Sequence, residues 1–309
     1  VDCLTILKAI MDVDPAYVFL VASHKELLTV LTRCIDTAIT PLTVAAVECI
    51  SGFIESVNDE LDSAELSLLE PLFRRLPFVL GTFIFEPLMH CIIGAVRDNE
   101  ETTKWLSSLF SLSDIIGMIP KVDESLDLLI FTLANELLSI SPVDDLNALD
   151  YFCFDERFRN GRSSSISNVL DFVISVLKHH PTECHESFWS VIGMNGCLLL
   201  ESGKFCLYER IVSLFNQALI VYGDPIAHRF INVRAHLLLA RYLPAMIGDY
   251  PELLSEFICR LAHVENIWID SFVGLVDAFL GLYEERNLQE NALCRNFQAN
   301  LIELVNQNA

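Results

Sequence analysis

The stretch from Asp224 to Val264 limits the folds open to this chain more than any other. Asp224 has the short polar side chain of an N-cap, and Pro225 suits the first helical position because its missing N–H would be unpaired there anyway. Ile226, Phe230, Val233, Leu237, Leu238 and Tyr242 follow at spacings of mostly three and four, which predicts one apolar helix face over 225–243. Gly248-Asp249 ends that helix and Pro251 opens the next, where Leu253, Leu254, Phe257, Ile258 and Leu261 repeat the pattern over 250–264. Two helices this apolar cannot bury all their surface against each other. They need neighbours on both sides, which is the condition for a stacked helical repeat.

The same rhythm extends in both directions. Pro181, Pro225 and Ile267 each follow a capping-type residue or turn, at intervals of 44 and 42 residues. Each interval holds two helical patterns: 181–200 with 204–222, 225–243 with 250–264, and 267–285 with 288–307, the last opened by Asn287-Leu-Gln-Glu290. An interval near 40–47 residues is the one HEAT and armadillo repeats use. Upstream, helical patterns cover 2–11, the run from the Ser23–Glu26 capping box to Ala38, the segment from Thr40 through Ile54, then 63–75, 78–97 and 123–139. A break at Val13-Asp14-Pro15 and an acidic turn at Asn58–Asp62 separate the early ones, with Asn99 and Ser113 as further caps. No strand pattern competes. The expectation is an all-α, right-handed α-solenoid of HEAT/armadillo-like antiparallel helix pairs: N-terminal repeats over 1–140, a loop or connector over 141–165, and C-terminal repeats over 166–309, forming one continuous solenoid.

Composition bounds the partners. Lys and Arg number 20 against 42 Asp and Glu, a formal net charge of −22. A surface so acidic argues against nucleic-acid backbones and anionic membranes, and favours proteins with basic segments. Ten cysteines occur without a C-x-x-C pair, most of them inside apolar helical patterns, as reduced buried thiols do in an intracellular protein. The abrupt start at Val1 suggests a piece of something longer. Leu76–Val96 carries one acid, Glu86, in a length that could cross a bilayer, but Pro77, Pro87 and His90 favour a buried helix pair instead.

Between Ser141 and Ser165 the texture changes. Acids cluster at Asp144, Asp145, Asp150, Asp155 and Glu156, and bases at Arg157, Arg159 and Arg162, followed by Asn160-Gly161 and Ser163-Ser164-Ser165. This reads as a long functional loop or an internal boundary, with a partly disordered connector as the alternative. Phosphorylation of Ser163, Ser164 or Ser165 beside the three arginines would tie the loop to itself or release it from an acidic surface. Asp270 and Asp277, one heptad apart, and Glu284 join the acids of 141–165 as candidate partner-binding residues, with a solvated helix face as the alternative.

Ser187-Phe-Trp-Ser-Val-Ile-Gly-Met-Asn-Gly-Cys-Leu-Leu-Leu-Glu-Ser-Gly-Lys-Phe205, then Leu214-Phe215 and Val233-Arg-Ala-His-Leu-Leu-Leu-Ala-Arg-Tyr242, resemble the middle of an importin-β-type transport receptor, a karyopherin, with Phe152–Phe158 at the position of its acidic or aromatic segment. The resemblance covers about 150–285. It implies a shortened or partial receptor working in nucleocytoplasmic transport, with basic cargo and the GTPase Ran as partners and a location in cytoplasm and nucleus. A structural or adaptor subunit of a larger complex is the alternative.

Catalytic signatures are missing: the sequence holds no Gly-rich phosphate loop, no G-x-S-x-G elbow and no H-E-x-x-H. His179–Glu186 gathers possible metal ligands across a helix break without a second cysteine pair, and reads as a polar helix end. His228 and His236 lack a partner acid nearby, and Trp189 and Trp268 lie in apolar patterns as core residues. The expectation is a binding protein that needs no cofactor or metal.

Overall fold

The computed structural model describes residues 2–13, 25–35, 40–57, 63–97, 99–179, 186–264 and 266–308, and every regular element among them is helical. Ser23, the turn at Asn58–Asp62, Pro181 and most of the His179–Glu186 cluster lie outside the described residues. The chain forms two compact units, Val1–Leu149 and Asp150–Ala309. The division falls within 141–165, where the sequence changes texture.

In the first unit the helices are α1 (Asp2–Val13), α2 (Lys25–Ile35), α3 (Thr40–Val57), α4 (Ser63–Phe73), α5 (Phe85–Val96), α6 (Glu100–Leu109), α7 (Leu112–Ile116), α8 (Asp127–Leu138) and α9 (Val143–Asn147). α1, α3, α5 and α8 pack side by side, and α2 and α6 cover them, α2 touching α3 and α4, α6 touching α5 and α8. Val47, Ile50 and Ile54 of α3 and Leu88, Ile92 and Val96 of α5 are fully buried, and the two helices pack on each other. Each such side chain contributes about 1.5–3 kcal/mol relative to exposure.

Helix ends follow the polar side chains that can reach them. Asn99 caps α6 by accepting from Thr102 N–H at 3.0 Å, as expected. The next cap is Ser111 rather than Ser113: Ser111 Oγ accepts from Asp114 N–H while Asp114 receives the Ser111 N–H, a complete capping box that leaves Ser113 inside α7. Leu76–Val96 is not one long helix. A 3₁₀ turn at Leu76–Phe78 and a bend through Gly81 at φ 72° precede α5, and none of the described helices is long and apolar enough to cross a membrane.

The second unit departs from the sequence expectation at its start. Residues 150–165 form a 3₁₀ turn (Tyr151–Phe154), α10 (Asp155–Asn160) and the start of α11 (Ser163–His179), while 143–147 belong to α9, so 141–165 is mostly helical rather than a long loop. Tyr151, Phe154 and Phe158 are buried and explain the change, since an apolar side chain on every third or fourth residue holds the turns to the core. Then come α12 (Glu186–Phe188), a π-helical turn at Trp189–Gly193, α13 (Met194–Glu201), α14 (Tyr208–Tyr222), α15 (Asp224–Asn232), α16 (Ala235–Met246), α17 (Pro251–Ala262), α18 (Asp270–Glu285) and α19 (Ala292–Asn308).

These helices alternate between two layers. α11, α14, α17 and α19 lie side by side in that order, and α13, α16 and α18 do the same in the other layer. The one-helix reading of 225–243 fails at Arg234, which sits in the left-handed region at φ 61°, ψ 25°. That break turns the inward face: Ile226 and Phe230 are buried as expected, but Val233 and Leu237 are exposed and Ala235, Leu239 and Leu243 take the core. The cap shifts too. Gly223, at φ 62° and ψ −138°, precedes the helix in a conformation that only glycine adopts easily, and Asp224 is the first helical residue. At the last helix Asn291, not Asn287, accepts from the N–H groups of Leu293 and Cys294.

The π turn has a packing cause. Trp189 folds back over Gly193, and a Cβ built on Gly193 would overlap the indole ring. Gly281 lies inside α18 with nothing near its missing Cβ. Gly193→Ala is therefore expected to destabilise the chain by about 1–3 kcal/mol, the usual cost of overpacking. Gly281→Ala should stabilise it by about 1 kcal/mol through helix propensity. Thermal or urea unfolding of the two variants beside the parent checks both signs.

Candidate functional site

The layer of α11, α14, α17 and α19 carries a run of three depressions. The first, about 370 Å³, lies over α11 and α14 and reaches Leu253 of α17. The second, about 620 Å³, spans the starts of α14, α17 and α19. The third, about 440 Å³, lies over the later turns of the same three helices. Glu209 and Leu253 line both the first and the second, and Phe297 lines both the second and the third, so the three are consecutive stretches of one groove.

Its chemistry is set by which polar groups are already satisfied. On α14, Glu209, Ser213, Asn216 and Gln217 share the helix face that lines the first depression. Arg210 is occupied, its Nε donating to both Asp171 carboxylate oxygens at 2.9 Å. Arg260 is occupied by Glu256 at 2.7 Å. Glu252 accepts from Asn291 Nδ2 at 2.6 Å. Glu209 and Asp249 have no ion-pair partner among the described residues. Both crowd Tyr250: desolvation first, then the negative charges of Glu209 and Asp249, push its phenol above the ordinary tyrosine range. Asn216 is 6% exposed and its Oδ1 has no hydrogen-bond partner among the described residues. The apolar part of the groove consists of Leu253, Leu293 and Phe297, with Leu293 itself 54% exposed.

The acids named from sequence lie elsewhere. Asp270, Asp277 and Glu284 do share one exposed face of α18, but that helix belongs to the other layer. Asp144 and Asp145 open α9 in the first unit. Asp150 caps the 3₁₀ turn by accepting from Phe152 N–H at 2.9 Å. Asp155 pairs with Arg159 at 2.7 Å and accepts from Asn195 Nδ2 at 3.3 Å, while Glu156 is exposed. The expected regulatory loop is the end of α10 and the first turn of α11. Arg157 and Ser165 are buried, so Ser165 is closed to modification in the folded chain. Arg162 and Ser164 are exposed and Ser163 is half-buried, so an added phosphate there would meet the N-terminus of α11.

Sequence reasoning missed the groove because its residues carry no motif. The available signal was the pairing of Glu209, Ser213, Asn216 and Gln217 on one face of an otherwise apolar helix. Among the described residues no group of three His, Cys, Asp or Glu side chains is placed to hold a metal ion. Cys49, Cys91, Cys197, Cys259 and Cys294 are buried thiols, and burial pushes Cys197 up to about 12. Cys3 and Cys206 are exposed, against the expectation for cysteines in apolar patterns, and Cys184 lies outside the described residues. Trp189 is core, and Trp268 is half-buried with its indole N–H on Ala262 O at 3.1 Å.

No family model and no curated protein matches this chain. A crystal structure of an engineered protein is similar in fold, with a TM-score of 0.63 at 8% sequence identity, covering 98% of this chain and 84% of that one. At that identity the likeness establishes an all-α fold shared along the chain and nothing of its activity.

One buried titratable group bears on stability. His236 is 2% exposed; its Nε2 lies 2.8 Å from Ser271 Oγ, and its Nδ1 has no hydrogen-bond partner among the described residues. Desolvation, and then the charge of Arg234, lower its pKa. The folded state therefore binds its proton less readily than the unfolded state. Stability from this site is present above the unfolded pKa of about 6.5 and is lost as pH falls from there through the lower folded value. Urea midpoints taken from about pH 7 down to about pH 5 should fall, and a His236→Gln chain should lose part of that slope.

Proposed function

We propose that this chain is a protein-binding helical-repeat scaffold, without catalytic activity of its own, whose partners present basic segments. The observation that carries the reading is the groove along α11, α14, α17 and α19, where Glu209 and Asp249 have no ion-pair partner among the described residues and stand beside the exposed Leu293. A chain of net charge −22 surrounds that groove with a negative field, which speeds the approach of cationic partners and weakens as salt screens it. Alternation of helices between two layers supports the solenoid reading, since each layer then presents successive helices as one extended surface. In the more specific form suggested by the resemblance over 150–285, the chain is part of a karyopherin-type transport receptor. It would carry basic cargo between cytoplasm and nucleus under control of the GTPase Ran.

The two levels separate in one experiment. The 309-residue chain is immobilised and challenged with Ran locked in its GTP or GDP form, and separately with a basic cargo segment at low and physiological salt. GTP-selective capture of Ran, with salt-sensitive capture of the basic segment, is the expected outcome for a transport receptor. Salt-sensitive capture of the basic segment alone would leave a structural or adaptor scaffold. Failure to hold any basic segment would overturn the reading.

A further inference from the structure

The layer opposite the groove carries charges in a pattern that its own fold does not use. α16 and α18 lie side by side and run in the same direction: His236 Nε2 is 2.8 Å from Ser271 Oγ near their starts, and Arg286 Nη2 donates to Pro244 O at 3.4 Å near their ends. Arg234 (the N-cap of α16), Leu237 and Arg241 face solvent on one helix, and Asp270, Val273 and Asp277 face solvent on the other. Both sets follow the same spacing, three residues and then four. The His236–Ser271 contact sets them level to within one residue, about 1.5 Å of helix rise. They form three rungs: Arg234 with Asp270, Leu237 with Val273, and Arg241 with Asp277. No ion pair closes either charged rung, and none of the four charges has an ion-pair partner among the described residues.

We propose that this face docks a second copy of the chain, with α16 of each copy lying on α18 of the other about a two-fold axis parallel to the helices. Such an axis exchanges the two helices and keeps every residue at its own level. Each arginine of one copy then meets the aspartate of its own rung in the other, and Leu237 meets Val273, twice over. The charges favour this occupant over a basic segment, which Arg234 and Arg241 would repel, whereas a second copy brings an opposite charge to every charge on the strip. The strip is also locally neutral on a chain of net charge −22, and the repulsion left between two acidic chains is screened beyond about 8 Å at physiological salt. Gly274 has nothing within 4 Å of the position a Cβ would take, so the opposing helix can come close to the α18 backbone. Glu284 lies level with Gly248, past the end of α16, and so outside the overlap. The overlap is two helices wide and about 18 Å long, the length of the 12-residue α16, which is the low end of specific interfaces and makes the dimer weak and reversible. This contact does not depend on the groove reading, because the groove lies on the other layer.

Sedimentation velocity of the whole chain from about 1 to about 100 μM should show monomer giving way to dimer, as suits a weak interface. Arg234→Asp with Arg241→Asp makes the face all acidic, and Asp270→Arg with Asp277→Arg makes it all basic. Each pair of changes should weaken the dimer at least about a hundredfold through like charges brought together. The second pair lowers the net negative charge of the chain, so its effect cannot come from overall repulsion. An equimolar mixture of the two variants should recover the dimer, because every charged rung is then of opposite sign again. Gly274→Gln fills an open helical position with a better helix former, and should weaken the dimer about tenfold while the melting temperature holds or rises. Capture of a basic segment should be unchanged in that chain, so failure of the groove reading and failure of this one are told apart. A chain that stays monomeric at about 100 μM would overturn the proposal. So would a dimer that survives both charge reversals, or reversed variants that stay monomeric when mixed.

Discussion

Phe215 of α14 touches three other aromatic rings: Trp189 of the π turn at 6.4 Å, Phe230 of α15 at 5.1 Å and Phe257 of α17 at 6.4 Å. Phe230 and Phe257 close the cluster at 5.3 Å. Rings from two successive helix pairs thus form one cluster, and aromatic contacts of this kind add about 0.5–1.5 kcal/mol each to what burial alone provides. A second chain of rings runs from Phe172 through Phe154, Tyr151 and Phe188 to Tyr222. In an array where each pair otherwise meets only its neighbours, these contacts make the pairs of the second unit interdependent. The π turn belongs to the same arrangement, because it is the local geometry that lets Trp189 lie over Gly193 and still reach Phe215.

The layering decides which residues are available to a partner. Every helix in a two-layer stack spends one face on the opposite layer and part of each flank on its neighbours. Only a narrow stripe is left, and on α14 that stripe is polar: Glu209, Ser213 and Gln217. Adjacent stripes on α11, α17 and α19 bring acids and apolar side chains to the same strip of surface. On α18 the free stripe instead consists of Asp270, Val273, Gly274, Asp277, Ala278 and Gly281, small and acidic residues with open space above both glycines. The two layers therefore offer different chemistry, one with an apolar seat among its acids and one without.

Much of the architecture could be read from the amino acids. The helical patterns over 204–222 and 250–264, the Pro251 start and the Asn99 cap all depend on local periodicity and capping, and the structure keeps them. Where the reading failed, either a tertiary contact had overruled the local signal or a better local partner stood nearby. Tyr151, Phe154 and Phe158 pull a stretch rich in charge and turn residues into short helices. Ser111 outcompetes Ser113 because only Ser111 has Asp114 at the reciprocal position. The candidate site was the least readable part. Its acids are ordinary surface acids until the fold shows which already have partners, and Asn216 becomes informative only once it is known to be buried and unpaired. The acids chosen from composition and heptad spacing proved to lie on α9, on the turns before α11, and on α18.

Arg234 has a bearing on how such a chain can drift over evolution. Its left-handed backbone shifts the inward face of α16 relative to α15, so the two halves of one repeat helix obey different rules of substitution. Polar replacements at Val233 and Leu237 meet solvent and are cheap, whereas the same changes at Ala235 and Leu239 meet the interior. A repeat profile that assumes an unbroken helix would score those tolerances in reverse, and would lose its register at this point in any relative that shares the break.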